Sequence, residues 1–196
     1  MGRGNTMASE DAVHSIEKNL TGLLDALKQQ GIAYGHTGDV APASVSIQGL
    51  AFDSRAVRPG DLFFALPGTH TTGNAFIADA LKAGAAAVIY EGDYTPGPEE
   101  TGRAAFIKVP SARFAMSPVS AAFSDNPSHK LGVIGVTGTE GKSSTVAFIW
   151  QLLRLAGHRA GFISTVQYSL GGEAQDNPEH QTTPEAPIVQ RELYEM

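Results

Sequence analysis

The sequence predicts an α/β protein: a small N-terminal α/β domain, then the start of a doubly wound domain built on a phosphate-binding loop. Three observations carry this. Short apolar, strand-like runs alternate with helical periodicity between residues 45 and 123. Leu131–Ser144, LGVIGVTGTEGKSS, is an apolar run that breaks into a glycine-rich loop ending in Gly-Lys-Ser. Between them, Asp125-Asn126-Pro127-Ser128-His129 is a polar breaker, which places the domains at residues 1–128 and 129–196.

Along the chain, Ser9 suits a helix cap with Glu10 and Asp11 in the first turn. Val13, Ile16, Leu20, Leu23, Leu24 and Leu27 then recur at helical spacing, Gly31 is a stop signal, and Gly22 weakens the middle, which leaves two shorter helices open. Val45, Ile47 and Phe52 mark a strand region, Arg58-Pro59-Gly60-Asp61 is turn chemistry, and Leu62–Leu66 is a strand. Ala75–Ala83 reads as a helix, Ala86–Tyr90 as a strand, 92–102 as a Pro/Gly/Glu-rich loop and Ala105–Val109 as a strand. Ser111–Phe123 reads as helical, with Pro118 expected to start, kink or end it.

Hydrophobic residues make up 42% of the 196 and charged ones 17%, enough apolar material for a sizeable core. The absence of cysteine excludes disulfides and thiolate metal sites and fits a reducing compartment. A net charge of −6 argues against a nucleic-acid partner. No apolar run has the length of a membrane span or the character of a secretion signal, so a cytoplasmic location is expected. The N-terminal MGRGNT matches a myristoylation pattern and Asn19-Leu20-Thr21 a glycosylation sequon; both read as chance matches.

In the loop, Leu131, Val133, Ile134 and Val136 read as a buried strand of a parallel sheet. Gly135, Gly138 and Gly141 let the backbone turn and approach a ligand. Lys142 and Ser143 open a helix whose free N–H groups and positive dipole end favour an anion. Lys142 is placed on terminal phosphates and the Ser143 hydroxyl on Mg²⁺. Val136 stands where the common phosphate-loop pattern has its first glycine, so the spacing is unusual. Helix 143–156, capped by Gly157, and strand 160–166 complete an expected parallel, right-handed βαβ unit. One such unit leaves strand edges and a helix face uncovered, and residues 190–196 read as mid-helix, so this domain is expected to be truncated.

Three stretches resemble one family. Asp53-Ser54-Arg55, Pro59-Gly60-Asp61-Leu62-Phe63 and Ala65-Leu66-Pro67-Gly68 look like the N-terminal domain of Mur ligases. Residues 136–145, VTGTEGKSST, resemble their ATP loop. Gln181-Thr182-Thr183-Pro184 resembles the Thr-Thr-Pro segment of the branch that adds the third residue of the peptidoglycan peptide. The resemblance implies an ATP- and Mg²⁺-dependent ligase that activates a carboxylate as an acyl phosphate for attack by an amine. The implied substrates are UDP-MurNAc-L-Ala-D-Glu and an amino acid of the diaminopimelate or lysine type.

Carried over position by position, Gly138, Thr139, Glu140, Gly141, Lys142, Ser143 and Ser144 would cradle ATP, with Lys142 catalytic and Ser143 on the metal. Phe52 and Ser54 would contact the uridine end, Thr69, His70 and Thr71 a second part of the nucleotide, and Gln181, Thr182 and Thr183 the muramoyl-peptide. Ser54 and Arg55 equally suit a turn held by local hydrogen bonds, and His70 a solvated histidine. His158 and His180 read as surface residues, and Phe63, Phe64 and Trp150 as core.

The chain departs from the family at Glu140, where Asn is usual, at 71–74, at Gln181 and at the end of strand 160–166. The metal-binding Glu, the carbamylated Lys and the amino-acid-selecting domain of the family lie beyond residue 196, so these residues alone are expected to be inactive in ligation and to need the missing C-terminal portion. Two other readings stay open: a UDP-muramoyl-peptide-binding module on residues 30–125 without chemistry, and an unrelated NTPase or small kinase. The ligase adding the terminal dipeptide is a further alternative.

Overall fold

The computed structural model describes residues 16–68, 72–177 and 184–196. The chain divides after Ser124 into two compact units. In the first, β1 (Lys18–Asn19) leads into α1 (Leu20–Gln29), followed by β2 (Gly35–Thr37), β3 (Ser46–Ile47), β4 (Gly49–Ala51) and β5 (Asp61–Phe64). Then come α2 (Ile77–Lys82), β6 (Ala87–Tyr90), α3 (Pro98–Thr101), β7 (Ala105–Lys108) and α4 (Ala112–Phe123).

Five strands form a sheet in the order β2-β7-β6-β5-β4. β4 to β7 run parallel, registered by Leu50↔Leu62, Phe63↔Val88 and Val88↔Phe106, and β2 closes one edge antiparallel to β7. β5 and β6 are buried along their whole length, the expected consequence of helices on both faces of a parallel sheet. Alternation sends Phe63, Val88, Tyr90 and Phe106 to one face, where they pack with Ile77 and Ala80 of α2. Leu62, Phe64, Ile89 and Ile107, equally buried, point to the other face. There α4 reaches β5 and packs on α1, whose Leu20, Leu23, Leu24 and Leu27 are buried at helical spacing.

Within the described residues the expected helical run is interrupted at Lys18–Asn19, which pair as a strand, and α1 starts at Leu20. Val13 and the Ser9 cap lie outside the described residues. The Asn19 Oδ1 accepts from the Thr21 N–H at 2.9 Å, and its Nδ2 donates to the Ala43 carbonyl. Asn19, which reads as a sequon, is thus a helix cap. α4 runs unbroken through Pro118.

The second unit opens with a left-handed pair, Asp125 at φ 59° and Asn126 at φ 50°, before Pro127. α5 (Lys142–Leu155) follows, then β8 (Phe162–Ile163), β9 (Gln167–Ser169), β10 (Gln175–Asp176) and α6 (Ala186–Glu195). Here two expectations are corrected. Residues 131–136 form no strand, and Val133 and Ile134 are 59% and 61% exposed. The run has the composition of a buried strand, but no described strand lies beside it, and a β-ladder needs a neighbour. Nor is there a parallel βαβ unit. β8 pairs antiparallel with β9, because the Ser164 hydroxyl donates to the Gln167 carbonyl and accepts from its N–H, spending 164–167 on a hairpin turn.

Among the described residues no helix is long and apolar enough to cross a membrane.

Candidate functional site

In the second unit the glycine loop meets α5. Gly138 (φ 151°) and Gly141 (φ 75°) adopt conformations that side chains avoid, and a Cβ at Gly141 would meet nothing within 4 Å, so the loop is open on that side. Gly141 is the N-cap, and no side chain caps the helix. The Thr145 N–H bonds back to the Gly141 carbonyl at 2.9 Å, which leaves the N–H groups of Lys142, Ser143 and Ser144 at the helix start without an intrahelical acceptor. The Lys142 ammonium lies over the loop, donating to the carbonyls of Gly138 at 2.8 Å and Thr139 at 3.1 Å. Thr139 and Glu140 are exposed, and Ser143 sits half-buried in the first turn.

This donor set fits a polyphosphate: three orphan N–H groups, a dipole end and one ammonium. Among the described residues no three His, Cys, Asp or Glu gather as a metal site. A magnesium ion held by phosphates and waters would need only a hydroxyl from the protein, and Ser143 in the first turn of α5 carries one.

In the first unit a cleft of about 500 Å³ opens beyond the C-terminal ends of β5 and β6, the position at which parallel sheets hold ligands. Its lining includes Pro67, Thr72, Asn74, Glu91, Asp93 and Tyr94. Asn74 Nδ2 donates to the Glu91 carbonyl at 2.9 Å, while its buried Oδ1 has no hydrogen-bond partner among the described residues. Glu91 Oε2 accepts from the Ala112 N–H at 2.6 Å and so caps α4. Tyr94 donates to the Glu100 carboxylate at 2.8 Å; burial first, then that bond, push its pKa well above the usual tyrosine value.

Phe52 and Ser54 follow β4, the strand next to β5, and stand at the same end of the sheet; both are half-buried, and neither lines the cleft. Ser54 opens a 3-10 turn over Ser54–Ala56, whose cap is Asp53: Oδ1 accepts from the Arg55 N–H at 2.9 Å. The Arg55 guanidinium pairs with the same carboxylate at 2.6 Å, and these two interactions hold the Asp53 pKa down at about 2. Local hydrogen bonding of this turn is therefore real, and the bonds run through Asp53 rather than the Ser54 hydroxyl.

Thr69, His70, Thr71, Gln181, Thr182 and Thr183 lie outside the described residues. Sequence reasoning missed Asn74, Glu91, Asp93 and Tyr94. The signal was available for three of them, because polar residues directly after a buried parallel strand face the ligand end of the sheet. Phe63 and Phe64 are core, as expected. Trp150 is half-buried: it donates to the Ala160 carbonyl at 3.0 Å and tilts against Phe162, centroids 5.0 Å apart.

Residues 46–126 match the family described as Mur ligase family, catalytic domain, and residues 136–196 match the Mur ligase middle domain. The UDP-N-acetylmuramyl-tripeptide synthetase of Treponema pallidum (strain Nichols) is 53% identical over 157 residues, covering 79% of this chain and 28% of that protein. The synthetase of the same name from Borreliella afzelii (strain PKo) is 38% identical over 187 residues, covering 92% and 35%. The chain thus spans about a third of the length of such relatives. In fold it resembles MurF from Acinetobacter baumannii, with a TM-score of 0.57 at 20% identity over 92% of this chain and 33% of that one. By its two matched domains, and by relatives whose N-terminal portion it parallels, the chain belongs to the Mur ligase family.

Proposed function

We propose that these residues supply the sugar-nucleotide-binding domain, 1–128, and the start of the ATP-binding domain, 129–196, of a peptidoglycan-precursor ligase. Its substrates are UDP-MurNAc-L-Ala-D-Glu and a diaminopimelate- or lysine-type amine, with ATP and Mg²⁺. The observation that carries this is the loop at 138–144, where the first-turn N–H groups of α5 have no side-chain cap and the Lys142 ammonium lies over the adjoining carbonyls. ATP, when bound, supplies the phosphoryl group that activates the substrate carboxylate. Lys142 and the N–H groups of the first turn hold and orient its phosphates and offset charge as it shifts toward the leaving oxygen. The Ser143 hydroxyl provides one ligand to the metal.

The sheet end carrying Ser54 and the cleft beside Asn74 suits the UDP-sugar. A buried acceptor with no partner among the described residues favours a ligand that brings an N–H or O–H donor, and a uracil ring and a ribose carry both. Thr69, His70 and Thr71 are assigned to the nucleotide by their family register alone. Gln181, Thr182 and Thr183 are assigned to the muramoyl-peptide by their family register alone.

Calorimetry tests the reading with two ligands. UDP-MurNAc-dipeptide binding should weaken in Ser54→Ala and Asn74→Ala and ignore Lys142→Ala, while nucleotide binding should show the reverse. Sugar-nucleotide binding lost only in Lys142→Ala sinks the assignment. A second reading, UDP-muramoyl-peptide binding without chemistry, rests on the cleft being lined, among the described residues, by the first unit alone. It predicts that ATP does not bind at all.

A further inference from the structure

Glu140 is the one carboxylate in Leu131–Ser144, and Lys142 the one cation. The two do not pair: the Lys142 ammonium is spent on the Gly138 and Thr139 carbonyls, and Glu140 stands exposed, one residue before the N-cap of α5. No acidic residue lies in the first turn of α5 itself. Two trans peptide steps put the Glu140 Cα within about 7.6 Å of the Lys142 Cα. A side chain so placed acts on whatever anion the loop holds.

The cradle therefore carries one formal positive and one formal negative charge, and its attraction for phosphate comes from the helix end and the backbone N–H groups. A bare polyphosphate meets a like charge there, which costs binding. Magnesium halves the charge of a nucleoside triphosphate and gives the carboxylate a cation to face.

We propose that Glu140 makes this loop selective for the magnesium complex of the nucleotide over the bare polyphosphate. The proposal rests on the reading of residues 138–144 as a nucleotide loop. Glu140 acts through charge on an exposed loop, so its replacement leaves the packing of α5 untouched.

The test is a fluorescence titration of the whole chain with a fluorescent ATP analogue, in excess magnesium and in EDTA, read as the dissociation constant in EDTA divided by that in magnesium. Glu140→Gln should lower that ratio about fivefold by removing the like charge. Glu140→Lys should lower it further, and high salt should narrow the difference between wild type and both variants. A ratio unchanged in both variants, with binding still lost in Lys142→Ala, overturns the proposal alone. Binding indifferent to Lys142→Ala, or no binding to the wild-type chain, overturns the nucleotide-loop reading and the proposal with it.

Discussion

The Lys142 ammonium donates to the Gly138 carbonyl at 2.8 Å, folding back over the loop that precedes its own helix. Lysine in this position is held by weak acceptors only, with the Thr139 carbonyl as the second. Phosphate oxygens are stronger acceptors for an ammonium than peptide carbonyls, so an arriving polyphosphate can take the side chain over without breaking an ion pair.

Lys142→Ala should accordingly cost nucleotide affinity and little else. Loss of one charge-assisted contact is worth roughly 2–3 kcal/mol, about a hundredfold in Kd. Thermal unfolding should move by less than a degree or two, since no packing contact is removed. Calorimetric titration and a melting curve on the same preparation check both halves; a large loss of melting temperature would show that Lys142 holds the loop together.

The Asp53–Arg55 turn gives a pH signature. The Asp53 pKa is about 2 in the folded chain against an ordinary 3.8, held down first by the Arg55 side chain and then by the Arg55 N–H. A depressed carboxylate contributes stability that is present above pH 3.8 and lost as pH falls through about 2. The pair is solvent-exposed, so the contribution is small. Asp53→Asn keeps a capping oxygen and removes the charge, and should flatten the acid limb of a urea-midpoint-against-pH curve between pH 4 and 2. Asp53→Ala also loses the cap and should lower stability at every pH by about 1 kcal/mol.

What was legible in the sequence follows from what is local. β5 and β6 were readable because both faces are buried, which leaves unbroken apolar runs such as Leu62–Phe64 and Ala87–Tyr90. The loop was readable because Gly138, Gly141 and Lys142 act within one turn of chain. Residues 131–136 misled because an apolar run has strand composition whatever stands beside it, and strand formation belongs to the pair. At Lys18 and Asn19 the helical spacing gives way because Asn19 caps the helix that starts at Leu20 and Lys18 pairs with Ile47 across the chain. Asn74 and Glu91 meet across a sequence separation of 17, which no local pattern announces.

Gly73 binds that cleft to the core. A Cβ built there would overlap the Leu66 carbonyl oxygen and the Ala65 carbonyl carbon, both backbone atoms that cannot swing away. Gly73→Ala should therefore push the Thr72–Ala75 lining outward and cost about 1–3 kcal/mol of stability. UDP-sugar binding should fall more than stability does, because the displaced residues line the cleft. Chemical denaturation alongside a UDP titration separates the two effects; unchanged UDP affinity would place the sugar nucleotide elsewhere.

The chain has one tryptophan, and it lies in the second unit. Trp150 rests against Phe162, has the Arg154 guanidinium 4.9 Å from its ring, and ties α5 to the segment before β8 through the Ala160 carbonyl. Its fluorescence thus reports the second unit alone, while far-UV circular dichroism also weighs the five-stranded sheet of the first. Phe162→Ala removes a buried ring and should destabilise the second unit by about 3 kcal/mol. The fluorescence-detected transition should shift to lower denaturant, and the part of the dichroism transition due to the first unit should stay in place. One shared transition that moves as a whole would mean that the two units unfold as a single cooperative body.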